Sequence, residues 1–151
     1  MITAQIERVT DIWPEVEPFL PLHWEELGLW RDKMPLNPNR EEYFRLDAEG
    51  ALTAATVRED GRLIAYVDFF VRRHLHYWST LCASMDVIYL APEHRGNGTG
   101  RLLGETALAE LKRRGVGPVM GGSKNHKGIE GFWLALGLMP IETILGLWIG
   151  D

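Results

Sequence analysis

The stretch HRGNGTG (94–100) constrains the fold of this chain more than any other segment. It holds three glycines and joins an apolar run, DVIYL (86–90), to a helical pattern, RLLGETALAELKRR (101–114). Glycine loses more conformational freedom on folding than any other residue, so three at one strand-to-helix joint indicate a backbone that a ligand approaches closely. The unpaired N–H groups of a helix N-terminus favour an anion, typically a phosphate. A tight turn without a ligand is the alternative.

Composition limits the classes of function. The 151 residues suit one domain, which we expect to span 1–151, and 46% hydrophobic with 25% charged residues is an ordinary globular balance. The net charge of −5 argues against a nucleic-acid-binding face and favours cationic partners such as amines.

The sequence also predicts a location. Cys82 is the only cysteine, so no intramolecular disulfide can form, and a reducing compartment is indicated. The N-terminus lacks the pattern of a signal peptide, and no apolar run approaches the length of a membrane span. We therefore expect a cytoplasmic protein without a membrane contact.

Hydrophobic periodicity and turn signals predict a mixed order of elements, βα(α)βββαβαβ. The predicted helices lie at 11–20 with Asp11 as the N-cap, at 40–50, at 101–114 and at 126–137, with helix or turn over 21–30. The predicted strands lie at 3–9, at 51–59, at 62–73, at the end of 74–90, at 117–123 and once or twice within 139–150. Asp60-Gly61 predicts a two-residue hairpin turn. In the helix at 101–114, Leu102 is expected on the apolar face and Glu110 is expected to pair with Arg114.

Two segments resemble the GNAT superfamily, the GCN5-related N-acetyltransferases. The family motif is Arg/Gln-x-x-Gly-x-Gly/Ala, and Arg95, Gly98 and Gly100 match it within MDVIYLAPEHRGNGTGRLLGETALAELKRRG (85–115). Downstream, NHKGIEGFWLALGLMP (125–140) is similar to the family's acyl-CoA helix, and the order of elements fits from about residue 3 to residue 149. The resemblance implies an α/β (α+β) GNAT fold: a mixed, mostly antiparallel sheet of six to seven strands, flanked by about four helices.

A narrower resemblance is to GNAT-like proteins encoded by tailed bacteriophages. The segments that carry it are PLHWEELG (21–28), HLHYWSTL (74–81) and PIETILGLWIG (140–150). This resemblance implies the cytoplasm of a phage host as the location, and it does not indicate a substrate.

The GNAT resemblance implies acetyl-CoA as the cofactor. The loop would hold the pyrophosphate of coenzyme A through the backbone of residues beside Arg95, namely Gly96, Asn97, Gly98, Thr99, Gly100 and Arg101. The preceding strand would place Ile88, Tyr89 and Leu90 beside the pantetheine arm, although plain sheet core is the alternative for their side chains. Asn125 would be a further contact.

The implied reaction is direct acyl transfer from the thioester to a neutral amine. This needs a group that takes the amine proton and donors for the oxyanion, which backbone N–H groups near Leu90 would supply. Asp86 is the candidate base, because an acidic residue within an apolar strand would have its pKa raised by desolvation. The alternative is an Asp at a strand edge, in solvent or paired with an arginine. His74 and His76 would face one side of a strand as a base or proton relay, and no third ligand completes a metal site.

At the acid that would protonate the leaving thiolate, the sequence departs from the family's pattern. The family usually has a tyrosine four residues before the glycine that corresponds to Gly137, and this chain has Trp133 there. An indole N–H can donate a hydrogen bond but does not give up its proton at neutral pH. Either Trp133 lines the thiol channel, or Tyr77 or Tyr89 serves as the donor, or the thiolate leaves without an acid.

The acceptor site of this fold would lie in HWEELGLWRDKMPLN (23–37). Glu25 and Glu26 would attract an ammonium group, with Trp24 or Trp30 stacking over it, or the segment is a solvated helix face with buried tryptophans. The leading hypothesis is an N-acetyltransferase for a small-molecule or protein amine, and a homodimer is compatible with it. The alternatives are an acyl-CoA-binding or structural protein with little catalysis and a nucleic-acid-modifying enzyme, against which the net charge argues.

Overall fold

A computed structural model describes residues 1–150, which form one five-stranded sheet between two layers of helices. The strands are β1 (Ile2–Glu7), β2 (Leu52–Glu59), β3 (Arg62–Arg73), β4 (Leu81–Leu90) and β5 (Val119–Met120). The helices are α1 (Val9–Val16), α2 (Phe19–Leu27), α3 (Arg40–Ala48), α4 (Thr99–Arg113) and α5 (Glu130–Ala135), with a 3₁₀ turn at Pro92–His94. The mixed α/β class is confirmed, with five strands and five α-helices in the described residues in place of six to seven strands and about four helices.

The sheet has the order β1-β2-β3-β4-β5. The first four strands pair antiparallel, and the short β5 pairs parallel to β4. The hairpin predicted at Asp60-Gly61 is confirmed, because both residues have positive φ (49° and 85°), as the mirror-image turns of hairpins require. The irregular start of 74–90 and the buried strand after it are confirmed as well.

Each face of the sheet buries its own core. On one face, the apolar side of α4 and Trp133 of α5 pack on β2, β3 and β4. On the other face, α1, α2 and α3 cover Tyr66 of β3 and Tyr89 of β4. Because both faces of the sheet are covered, β2 and β3 are buried over most of their length.

Three details of the predicted helices are wrong. Helix α1 begins at Val9 after Arg8, so Asp11 lies in its first turn instead of capping it. In α4, Leu102 is exposed, and Glu110 pairs with Arg113, because Arg114 turns back to Thr53 Oγ1 and to the carbonyl oxygens of residues 50 and 52. The predicted stop at Gly115 is confirmed by its φ of 77°.

The final strand predicted within 139–150 is also wrong, since no residue of that range is in a strand. A strand needs a neighbour with free backbone groups, and β5 at the sheet edge offers two residues. The segment leaves its apolar side chains outside, with Leu145 89% exposed, and contacts the rest of the chain through Trp148, which packs on Trp30. None of the helices in residues 1–150 has the length and apolar character that crossing a bilayer takes.

Candidate active site

The glycine loop presents unpaired backbone donors at the start of α4. Among residues 1–150, the N–H groups of Gly96, Asn97, Gly98, Gly100 and Arg101 have no hydrogen-bond acceptor, whereas that of Thr99 is bound by Asn97 Oδ1 at 3.1 Å. Gly96 and Gly98 have φ of 80° and 93°, and a Cβ built on either would contact nothing within 4 Å. The loop therefore fits a diphosphate, which would accept from these groups at the positive end of the helix dipole.

Arg95 fastens this loop to two other elements. Its Nε donates to the Leu90 carbonyl oxygen at 2.9 Å, and its two terminal nitrogens form a bidentate pair with Glu26 of α2 at 2.8 and 3.0 Å. This pair holds the pKa of Glu26 below its usual value, mainly through the hydrogen bonds from Arg95. Arg95 thus holds the loop in place with its side chain, while the exposed Arg101 pairs with Glu105 of its own helix.

The edge of β4 beside the loop is open. β5 pairs with β4 only at residues 83 and 84, so the strands separate before Met85. Ile88, Tyr89 and Leu90 pair with β3 on one side, and no strand covers their other side in the described chain. The free edge leads from Asp86 to the glycine loop and fits an extended arm that pairs with backbone groups.

Asn125 lies on the loop between β5 and α5. The loop is tied by a bridge between Lys124 and Lys127, and Lys127 Nζ lies 3.4 Å from Glu26 Oε1. Asn125 is exposed, and its loop is linked to Arg95 because Glu26 contacts both Lys127 and Arg95. Its position is compatible with the predicted contact to a cofactor.

Asp86 lies where β4 bulges. Asp68 pairs with Val87 and Phe69 with Met85, so Asp86 is the extra residue and lies on the α1–α3 side of the sheet. Its Oδ2 accepts a hydrogen bond of 2.5 Å from the hydroxyl of Tyr43 on α3. Burial, followed by the hydrogen bond to Asp86, raises the pKa of Tyr43 far above its usual value, so Tyr43 stays a donor at every working pH. No local sequence pattern indicates Tyr43 as the partner, because it lies on a helix 43 residues away from Asp86.

The strongest shift of a carboxyl pKa falls on Asp68, which the sequence analysis also missed. Asp68 is 4% exposed, and burial together with the charges of Asp86 and Asp47 raises its pKa to about 8. One signal was present: Asp68 is the single charged residue inside the apolar run LIAYVDFFV (63–71).

His23 of α2 is a further titratable group at this site. Its ring meets that of Tyr89 edge-on at 6.3 Å, and its buried Nε2 has no hydrogen-bond partner within residues 1–150. Burial lowers the pKa of His23 below its usual value, against the opposing charges of Glu26 and Asp86. A neutral imidazole beside Asp86 can accept a proton.

The structure does not bring Tyr77 to the site. Tyr77 is 67% exposed and precedes β4, whereas the glycine loop follows the other end of that strand. From Leu81 to Asp86 the strand covers roughly 16 Å at about 3.3 Å per residue. His74 and His76 accompany Tyr77 in this irregular segment instead of alternating on a strand, and the His76 N–H donates to His74 Nδ1.

Trp133 lies in the core beneath α5. It is 5% exposed, its indole N–H donates to the Gly122 carbonyl oxygen at 2.9 Å, and its ring packs edge-on against Phe69 and Phe132. A Cβ at Gly121 would lie 2.5 Å from the ring, so the chain is shaped around it. The ring is packed in the core and its N–H is already bound, so the geometry does not support the predicted catalytic role of Trp133.

The predicted acceptor segment borders a cavity of about 500 Å³. The cavity is lined by acidic, basic and aromatic side chains, among them Glu25, Glu26, Trp30, Arg31, Asp32 and His126. Trp24 instead donates its indole N–H to the Met34 carbonyl oxygen at 3.3 Å. Within residues 1–150 no three His, Cys, Asp or Glu side chains converge on a point where a metal ion could bind.

Comparison with known proteins extends these observations. The model of a family described as the acetyltransferase (GNAT) family matches residues 10–137. A search of curated proteins found no match.

Three solved structures are similar over essentially their whole length. A ribosomal-protein-alanine N-acetyltransferase from Brucella melitensis biovar Abortus 2308 has a TM-score of 0.76 at 17% identity, covering 100% of this chain and 99% of that chain. An aminoglycoside acetyltransferase from an uncultured soil metagenomic sample has a TM-score of 0.72 at 16% identity, with the same coverage. A predicted acetyltransferase from Clostridium acetobutylicum, solved with acetyl-CoA, has a TM-score of 0.70 at 16% identity, covering 99% and 97%. At these identities the likeness shows the fold alone.

Proposed function

Because this chain belongs to the acetyltransferase (GNAT) family, we propose that it transfers an acetyl group from acetyl-CoA to a primary amine by direct transfer. The observation that carries the proposal is the continuity of three features: the free N–H groups of 96–101, the open edge of β4, and Asp86 at the bulge. A diphosphate, an extended arm and a reacting carbonyl occur in that order in acetyl-CoA.

The loop holds the pyrophosphate through the backbone of Gly96, Asn97, Gly98, Gly100 and Arg101. Each charge-assisted hydrogen bond of this kind contributes about 1.5–3 kcal/mol. Thr99 orients the first turn, since its N–H is already bound by Asn97. Ile88, Tyr89 and Leu90 pair with the pantetheine arm through their backbone, and Asn125 adds a contact from the facing loop.

Bound acetyl-CoA supplies a thioester whose carbonyl carbon the amine nitrogen attacks, forming a C–N bond while the C–S bond breaks and sulfur leaves as thiolate. Asp86 takes the proton that the nitrogen loses, and the Tyr43 hydroxyl orients the receiving carboxylate. Backbone N–H groups near Leu90 donate to the carbonyl oxygen. Since a thiol has a pKa of about 8.5, the thiolate leaves without an acid, and neither Trp133 nor Tyr77 is needed.

The acceptor is a primary amine on a small molecule or on a protein. Glu25 and Asp32 line the cavity beside α2 and attract a cationic amine, while Glu26 is already paired with Arg95. His23 is a second group that can take the proton, because burial lowers its pKa and favours the neutral imidazole.

Several narrower expectations remain proposals. A single domain over 1–151, a cytoplasmic location, a homodimer and the likeness to proteins of tailed bacteriophages rest on the sequence patterns described above. Modification of nucleic acid remains the least supported alternative, because the net charge is −5.

A protein that binds acyl-CoA with little catalysis is the second candidate, and the commitment of Trp133 to the core favours it. Two measurements separate the candidates: calorimetric titration with acetyl-CoA, and release of free thiol over a panel of primary amines. Binding with thiol release that Asp86→Asn suppresses supports the transferase. Binding without release for every amine supports the second candidate, and absence of binding overturns both.

A further inference from the structure

Asp68 is a buried carboxyl group that has no role in the reaction proposed above. It lies on β3, and its Oδ1 is fully enclosed without a hydrogen-bond donor among residues 1–150. An unpaired ionised carboxylate in such surroundings is very costly, so the group takes up a proton instead.

A small cavity lies against this side chain. Its volume is about 20 Å³, the space of one water molecule. Its polar lining groups belong to Tyr43, Asp68 and Trp13 of α1, whose buried indole N–H has no hydrogen-bond partner in the described residues. The other lining side chains are apolar. The same Tyr43 binds Asp86, so one tyrosine contacts both the cavity of Asp68 and the proposed base.

The strand register explains why the two carboxyl groups are neighbours. Asp68 is directly opposite Val87, and the bulge brings Asp86 to the same face of the sheet. The titratable groups around Asp68 are Asp86 on β4, Tyr43 and Asp47 on α3, and Tyr66 on β3. Asp47 is already bound by Thr10 and Arg8, and the side chains from α1 and α2 that line the cavity carry no charge. No cation therefore faces Asp68 within the described residues.

We propose, on the basis of the function proposed above, that Asp68 and Asp86 work as a pair that holds one proton at rest, with Asp68 as the protonated, positioning member and Asp86 as the ionised member that receives the proton of the amine. Two neighbouring carboxyl groups do not both ionise readily, because their negative charges repel each other. Asp86 is the better site for the charge because it is half-buried and has the hydrogen bond from Tyr43, whereas the buried Oδ1 of Asp68 has no hydrogen-bond donor in the described residues.

The division of roles has a chemical consequence. Only the neutral amine attacks the thioester, and a second negative charge beside Asp86 would stabilise the unreactive ammonium form. Neutral Asp68 avoids that charge. Once the pH exceeds the pKa of Asp68, about 8, the second charge develops and transfer slows.

The test compares the pH dependence of kcat/KM for the wild type, Asp68→Asn and Asp11→Asn, an exposed carboxylate of α1 that serves as the control. One unit above its pKa a group is about tenfold more ionised than protonated, so we expect wild-type kcat/KM near pH 9 to fall about tenfold below that of Asp68→Asn. Asp11→Asn should follow the wild type. A profile of Asp68→Asn that keeps the wild-type fall overturns the proposal. So does a folded Asp68→Asn that is inactive at every pH, because Asp68 would then be the base itself.

An infrared pH titration of the wild type does not depend on activity or on the folding of a variant. We expect the carbonyl band of a protonated carboxylic acid to persist at pH 7 and to disappear above about pH 8. Absence of that band at pH 7 overturns the proposal. If the band is present while no amine is acetylated, the proposed transferase function is overturned, whereas the protonation of Asp68 is still supported.

Discussion

The hydroxyl of Tyr43 donates a hydrogen bond of 2.5 Å to Oδ2 of Asp86, and this contact connects α3 to the bulge of β4. It orients a carboxylate at the only point where β3 and β4 lose their regular register. The bulge displaces Asp86, and the tyrosine determines which way its side chain points.

Replacement of Tyr43 by phenylalanine removes this hydrogen bond and little else. Hydrogen bonds to charged groups contribute about 1.5–3 kcal/mol, so kcat/KM for acetyl transfer should fall roughly tenfold or more. The affinity for acetyl-CoA, measured by calorimetry, should stay unchanged because Tyr43 lies on α3 and is not one of the loop residues that precede α4. If Tyr77→Phe lost activity and Tyr43→Phe did not, Tyr77 and not Tyr43 would be the tyrosine that takes part in the reaction.

The glycine loop can be tested with two substitutions of equal backbone strain. Gly98 and Gly115 both have positive φ, 93° and 77°, and neither has an atom within 4 Å of a built Cβ. Alanine at either position costs about 1–2 kcal/mol of stability. Only Gly98→Ala places a methyl group among the free N–H groups, so it should weaken acetyl-CoA binding about tenfold or more. Equal affinities for the two variants in calorimetric titration would argue against the loop as the binding site.

Trp133→Phe separates packing from chemistry. The substitution leaves the Gly122 carbonyl oxygen without its donor and removes volume from the core, so the free energy of unfolding in urea should drop by about 1–3 kcal/mol. The rate of acetyl transfer should remain within a few-fold of the wild type. A large loss of kcat at unchanged stability would mean that the indole takes part in the reaction.

Asp68 also makes stability depend on pH. Its pKa is raised from 3.8 to about 8 in the folded state, so between these values the folded protein holds a proton that the unfolded chain has lost. The contribution to stability is complete below about pH 4 and is lost as the pH rises towards 8, by at most about 1.4 kcal/mol per pH unit. Chemical denaturation at several pH values should show this slope in the wild type and a smaller one in Asp68→Asn. Identical slopes in the two proteins would mean that Asp68 is ionised when folded.

Much of the fold could be predicted because its signals are local. The Asp60-Gly61 turn, the end of α4 at Gly115 and the strand-loop-helix around Gly98 each depend on backbone preferences of neighbouring residues. The last predicted strand failed for a reason outside its own sequence: residues 139–150 have the apolar content of a strand, but β5 provides too short an edge for them.

In the candidate site, too, local patterns indicated some residues, whereas tertiary packing alone brought in the others. Short-range patterns in the chain were sufficient to propose the loop at Gly98 and the acidic residue Asp86 as candidates, since each lies within one contiguous motif. The partners of Asp86 emerged when the chain was packed in three dimensions. Tyr43 and Asp68 come from α3 and β3, distant in sequence from β4, and strand register, a bulge and burial between two layers bring the three side chains together. Residue order sets local backbone geometry, but the proton held by Asp68 depends on how completely other elements exclude water from it.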